Sequence, residues 1–177
     1  MCIIIDINCL PSVFKKRTLD HDQFKPVRDW IFSGRGKLVY GGSKYYKELA
    51  TASFEYIKLF TLLRSKNLAI SVPNQEVDFM TDKATKQITH PDFDDQHLVG
   101  LLLASKCKLI CSKDERAYPY FKHPDFFAPA SNRPKIYTSK RTEFLLSERH
   151  IAKICQPCGK LTKTKIAQLE QLNPVKQ

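Results

Sequence analysis

Apolar residues in this chain fall into short uninterrupted runs separated by longer amphipathic stretches. The opening run CIII, closed by Asp6, is β-branched and continuous, as expected of a strand covered on both faces. Similar runs recur at residues 37–40 (KLVY), 68–72 (LAISV), 108–112 (KLICS) and 135–138 (KIYT). Gly41-Gly42 breaks the second run and Pro73 stops the third. The intervening segments carry helical spacing. Residues 10–17 predict a short helix, with Asn8 placed to cap it and Pro11 tolerated in its first turn. Residues 22–32 set Phe24, Val27, Trp30 and Ile31 on one face and end at Gly34 and Gly36. Residues 43–65 read as one long helix, with Tyr45, Leu49, Ala52, Tyr56, Leu59, Phe60 and Leu63 spaced by three or four. Residues 74–92 are polar and punctuated and read as a loop or irregular insertion. The apolar stretch in DFDDQHLVGLLLASK predicts a strong helix. Residues 113–123 and 141–154 predict two weaker ones, and the segment after Cys155 reads as a loosely held basic tail.

Strands alternating with helices imply a parallel sheet covered on both faces. In such sheets ligand sites form beyond the carboxyl ends of the strands. Applied here, that rule selects acids. Asp6 ends the first strand, and Asp114 lies two residues past the fourth. Asp94 and Asp95 open the helix that feeds the fourth strand, and Glu48 sits early in the helix after the second. Carboxylates gathered at one sheet edge suit Mg²⁺ or Mn²⁺, which take hard oxygen ligands and assist in-line displacement at phosphorus. Each acid has a plainer reading beside this one. Asp114 fits a helix N-cap, Asp94 and Asp95 fit the positive end of a helix, and Glu48 fits a pair with Lys44. Asp6, directly after four apolar residues, has no such alternative.

Composition narrows the ligand. Lys and Arg total 29 against 18 acids, a net charge of +11, which draws in polyanions. Candidate backbone contacts are Lys15, Lys16, Arg17, Lys44, Lys113 and Arg116, with further basic residues at Lys140, Arg141, Lys160, Lys163 and Lys165. Tyr45, Tyr46, Tyr118, Tyr120 and Phe121 lie near the acids in sequence and read mainly as core rings. At 177 residues the chain is long enough for one domain with a sizeable core. No apolar run approaches the length of a membrane span, and Asp6 interrupts any leader-like stretch, so a cytoplasmic protein is expected. The six cysteines read as free thiols. Cys155 and Cys158 form a CxxC like half a zinc site, but structural zinc needs four ligands and only His123 or His150 is at hand to help. His97, one turn into the acidic helix, could contact phosphate or act as an acid, but reads first as a packing or solvent-facing histidine.

At these acids the chain resembles the PIN domain family of small metal-dependent nucleases. IIIDINCL is similar to the family's opening strand with Asp-x-Asn, here Asp6 and Asn8. GGSKYYKEL resembles the segment with its helical Glu, here Glu48. DDQHLVGLLLASKCKLICSKDER resembles its central Asp, apolar helix, strand and closing turn, here Asp95 (with Asp94 beside it), then Ser112 and Asp114. Ser112 stands where Thr is usual. The likeness covers residues 1–120 in order and spacing.

The resemblance implies a three-layer α/β/α sandwich with a mostly parallel five-stranded sheet, a nuclease domain over residues 1–154 and a basic C-terminal tail over 155–177. It implies that Asp6, Glu48, Asp95 and Asp114 hold one or two Mg²⁺ or Mn²⁺ ions. Asn8, Ser112 and Asp94 would orient those ligands. The implied activity is hydrolysis of single-stranded RNA by metal-activated water, as in a toxin of a toxin–antitoxin or defence system. An antitoxin or other protein, or a second copy in a homodimer, would then be a partner. Two other readings stand beside it. One is a catalytically silent PIN-like module that binds RNA. The other is a phosphatase of the haloacid dehalogenase type, which wants Asp where this chain has Asn8.

Overall fold

Five short strands form one sheet in the computed structural model, which describes residues 2–147 and 152–175. They are β1 (Cys2–Ile5), β2 (Lys37–Gly41), β3 (Ala69–Val72), β4 (Leu109–Cys111) and β5 (Lys135–Tyr137). The order is β3-β2-β1-β4-β5, with every neighbouring pair parallel. Parallel pairing requires crossover connections. Helices α1 (Leu10–Phe14) and α2 (His21–Phe32) lead to β2, and α3 (Ser43–Ala52) and α4 (Phe54–Ser65) to β3. Then α5 (Asn74–Gln87) and α6 (Gln96–Ser105) lead to β4, and α7 (Tyr118–Phe121) lies on the way to β5. A last helix, α8 (Lys163–Leu172), follows the sheet. The result is the expected α/β architecture with a fully parallel sheet. Strand β1 lies at its centre and is sealed: Cys2, Ile3, Ile4 and Ile5 are all 0% exposed. None of the described helices is long and apolar enough to cross a membrane.

Several segments differ from expectation, among them the first helix, which ends at Phe14 rather than at residue 17. The long helix over 43–65 is two helices. Ser53 between them is extended (φ −177°, ψ 138°), and its hydroxyl accepts the Glu55 N–H at 3.2 Å, capping α4. The apolar spacing runs on across the break and so conceals it. Residues 74–87, read as loop, are α5. Only Val77 and Ala84 of this helix are buried, too thin a stripe to register as amphipathic. What holds α5 is its packing along α6. At the contact a Cβ on Gly100 would fall 2.1 Å from Thr81 Oγ1 and 2.8 Å from the Thr81 nitrogen. Gly100→Ala should therefore destabilise the fold by about 1–2 kcal/mol, overpacking outweighing the better helix propensity of alanine. A urea midpoint at or above wild type would show that the two helices can part freely.

The C-terminal segment is docked rather than loose. Cys155, Leu169 and Val175 are buried, and the Leu161 N–H bonds the Ser33 carbonyl at 2.8 Å. Arg28 of α2, 4% exposed, donates to Glu170 of α8 and to Asp29, each at 2.9 Å, and lies over the Phe32 ring. Within 141–154, residues Lys140–Leu145 and Lys153–Cys155 are 3₁₀ turns; the part of that expected helix over 148–151, which includes His150, lies outside the described residues.

Candidate metal centre at the sheet switch point

The chain runs outward from β1 through β2 to β3, then returns to β4 beside β1 and runs outward again to β5. The reversal between β1 and β4 is the topological switch point, where open parallel sheets leave a crevice beyond their strand ends. Asp6 is the first residue after β1 and Ser112 the first after β4.

Asp6 is 4% exposed and firmly held. Its Oδ1 accepts the Asn8 N–H at 3.0 Å and its Oδ2 accepts the Ser112 hydroxyl at 2.9 Å. Burial raises its pKa above the ordinary carboxylate value, those two hydrogen bonds work against the rise, and Glu48 adds to it. The Ser112 Oγ also accepts the Asp114 N–H at 3.1 Å, so one hydroxyl ties the exits of both central strands. Asn8 orients Asp6 through its backbone amide, not its side chain, and does not cap α1 as expected; Asp6 caps the turn Ile7–Cys9 instead.

Asp114 caps the turn Glu115–Ala117, as its plainer reading foresaw, and is also gripped by Arg116. The guanidinium Nε lies 3.1 Å from Oδ1 and Nη2 lies 2.7 Å from Oδ2. This pairing holds the Asp114 pKa below the ordinary range. Asp95 precedes α6 at the N-cap position but makes no side-chain capping bond. Carboxylate oxygens of Asp94, Asp95 and Asp114 lie within 4.8 Å of one another. Burial pushes Asp95 up to about 6, and the nearby charges of Asp6, Asp94 and Asp114 push the same way, with His97 opposing.

Glu48 reaches the group from α3. That helix is anchored at its start, where Asn74 and Asp78 of α5 accept the Gly42 and Ser43 amides at 3.1 and 2.9 Å. Gly42 adopts φ +92°, a conformation that side chains rarely take. Tyr45, fully buried, donates to the Ile5 carbonyl at 2.7 Å and so fixes α3 against the end of β1. Glu48, one turn on, sets Oε2 3.2 Å from His97 Nε2. That contact draws the Glu48 pKa down, with burial opposing. His97, expected to pack or to face solvent, is 3% exposed, touches Glu48 and leaves Nδ1 buried without a hydrogen-bond partner.

Asp6, Glu48, Asp94 and Asp95 share an open cleft of about 650 Å³ with Asn8, Lys44 and Lys47. Lys44 Nζ donates to the Asp94 carbonyl at 2.7 Å, bridging α3 to the loop before α6. Lys47, which carried no sequence motif, points a charge into the same cleft rim as Lys44. Lys15, Lys16 and Arg17 are not among the residues lining it, and Lys15 sits over the Tyr56 ring instead. Lys113 is committed elsewhere: its Nζ donates to Ser12 Oγ at 2.8 Å and Asp20 Oδ2 at 2.9 Å, strapping the β4 exit to the α1–α2 region. The aromatics near the acids are structural. Tyr46 bonds Ser71, Tyr118 bonds the Ser112 carbonyl, Tyr120 stacks on Phe93, and Phe121 is sealed.

No protein-family model, curated protein or solved structure matches this chain. What the centre can hold follows from its donors. Three carboxylates at this spacing offer hard oxygens to a divalent cation, and Asp94 and Asp114 add to the upward pKa shift that burial and Asp6 give Asp95. The donor set therefore fits Mg²⁺ or Mn²⁺. A zinc site at Cys155 and Cys158 finds no such support. Among the described residues, Asp94, Asp95 and Asp114 are the group of metal-ligating side chains that converges, and His150 lies outside those residues. Cys158 donates its thiol to the Cys155 carbonyl at 3.3 Å.

Proposed function

We propose that this protein is a metal-dependent endoribonuclease that hydrolyses phosphodiester bonds of single-stranded RNA. One observation carries the reading: acids from four separate chain segments meet at the β1/β4 switch point of a protein with net charge +11. Asp94, Asp95 and Asp114 would hold Mg²⁺ or Mn²⁺, with Asp6 and Glu48 contributing from the cleft they share with Asp94 and Asp95. A cation bound there supplies Lewis-acid polarisation of a phosphoryl oxygen and lowers the pKa of water for attack at phosphorus.

The protein's own part is positioning and charge. Ser112 fixes the direction of the Asp6 carboxylate through its hydroxyl. His97 fixes Glu48 and helps keep it ionised. Lys44 and Lys47 on the rim attract the phosphate backbone, the term that dominates nucleic-acid affinity. The cleft is open, which suits a flexible single strand approaching through its backbone.

The test is incubation with end-labelled single-stranded RNA and Mn²⁺, with and without EDTA, beside duplex RNA, single-stranded DNA and a phosphomonoester. Chelator-sensitive internal cleavage of the single strand is expected. Binding without cleavage would leave a silent RNA-binding module, and phosphomonoester hydrolysis alone would leave a phosphatase.

His97 gives a sharper check. His97→Leu removes the donor to Glu48 and should lower kcat by about 10- to 100-fold, the range for losing a group that orients a metal ligand. KM for RNA should move little. His97→Gln, which retains an N–H donor, should recover most of the loss. Equal damage by both substitutions would reduce His97 to a packing residue.

A further inference from the structure

We propose that Arg116 is a built-in counterion that a divalent cation must displace, and that its freed guanidinium then grips an RNA phosphate. This rests on the metal-dependent reading of the same centre. Both Asp114 oxygens are engaged by the guanidinium, at 3.1 and 2.7 Å. The same Nη2 lies 3.9 Å from Asp94 Oδ2, so one side chain spans two of the three converging carboxylates. While that fork is closed it occupies a lone pair on each Asp114 oxygen and competes with a cation for the same carboxylate.

The contact is built to open. The Arg116 side chain is 62% exposed, so water and salt compete with the pair from the arginine side. Several carboxylates gain more from one divalent ion than from a monovalent guanidinium. The Arg116 backbone N–H, at 3.0 Å from Asp114 Oδ1, keeps the turn in place whatever the side chain does. Lys113 next to it reaches away from the converging acids, to the buried Ser12 hydroxyl and to Asp20. Once released, Arg116 presents a planar fork beside the cleft, a geometry that matches phosphate.

Binding then becomes coupled. The apparent metal affinity is reduced by the fraction of time the fork is closed. RNA gains the guanidinium contact only when metal is present. Isothermal titration with Mn²⁺ should show Arg116→Gln binding about two- to fivefold more tightly than wild type, the range set by a solvent-exposed pair. Arg116→Lys, with charge but no fork, should fall between. Arg133→Gln, which removes an exposed charge near the opposite end of β5, should stay within about twofold of wild type.

Anisotropy of a fluorescent single-stranded RNA completes the test. In Ca²⁺, Arg116→Gln should weaken binding several-fold and reduce the log–log salt slope by about 0.7, one phosphate contact. In EDTA, wild type and Arg116→Gln should bind RNA alike. Unchanged or weaker Mn²⁺ binding in Arg116→Gln, or an equal gain in Arg133→Gln, overturns the proposal. If wild type binds Mn²⁺ and Asp114→Asn does not, that failure belongs to Arg116 alone. If neither wild type nor Asp114→Asn binds Mn²⁺ with millimolar affinity or better, the metal reading falls together with it.

Discussion

Asp6→Asn should reduce metal-dependent RNA cleavage by more than about a hundredfold while leaving the fold intact. Loss of a group that merely orients a metal ligand costs about 10- to 100-fold, and Asp6 presents its own charge to the cleft it shares with Glu48, Asp94 and Asp95. Asparagine is nearly the same shape, so its Oδ1 can still accept the Asn8 amide. Ser112 Oγ, which now donates to Asp6, can rotate to accept from the new amide. Only the charge is removed. Because burial disfavours that charge in the metal-free protein, the variant should melt at or above the wild-type temperature in EDTA. Parallel cleavage assays and thermal melts decide the matter. Retained chelator-sensitive cleavage would remove Asp6 from the chemistry, and a collapse in melting temperature would show that its carboxylate is structural.

Asp95→Asn should stabilise the metal-free protein at pH 7.5 by about 1–2 kcal/mol. Asp95 is pushed up to about 6 by burial, then by Asp6, Asp94 and Asp114. In the unfolded chain it titrates near 4. The folded state therefore holds this proton more tightly, and stability falls as pH rises from about 4 to about 6. Above that window the full penalty of the ionised group is present, and below it the penalty vanishes. A two-unit shift corresponds to about 3 kcal/mol, and partial exposure of the side chain screens some of it. Urea unfolding in EDTA should show the variant ahead at pH 7.5 and level with wild type at pH 4. Millimolar Mn²⁺ should then reverse the order, since a cation stabilises the state that binds it. Equal stability at both pH values would mean that the acids do not crowd one another.

The fold was legible because β1 is sealed on both faces, so CIII stands out from any amphipathic pattern. The acids were legible because a rule about strand ends picks out Asp6 and Asp114 before any contact is known. Packing that depends on small residues was not legible. Helix α5 buries just two side chains and is held by a backbone approach at Gly100, which leaves no periodic trace. The break at Ser53 was hidden by apolar positions that keep step on both sides of it. Lys113 shows the limit of neighbourhood in sequence. It adjoins two candidate site residues, yet its side chain runs to Asp20, 93 positions away. The role of His97 was not legible, because a single histidine carries no spacing, and only its distance to Glu48 gives it one.

Arg28 has a consequence for biosynthesis. Its guanidinium is almost sealed from solvent, and one of its two carboxylates arrives on Glu170, 142 positions downstream. During translation from the amino end, all five strands emerge before that partner exists. The growing chain can assemble its sheet with Arg28 leaning on Asp29 alone, and closes the pair only when α8 emerges. Versions shortened before residue 163 should therefore lean on chaperones more heavily than the full chain.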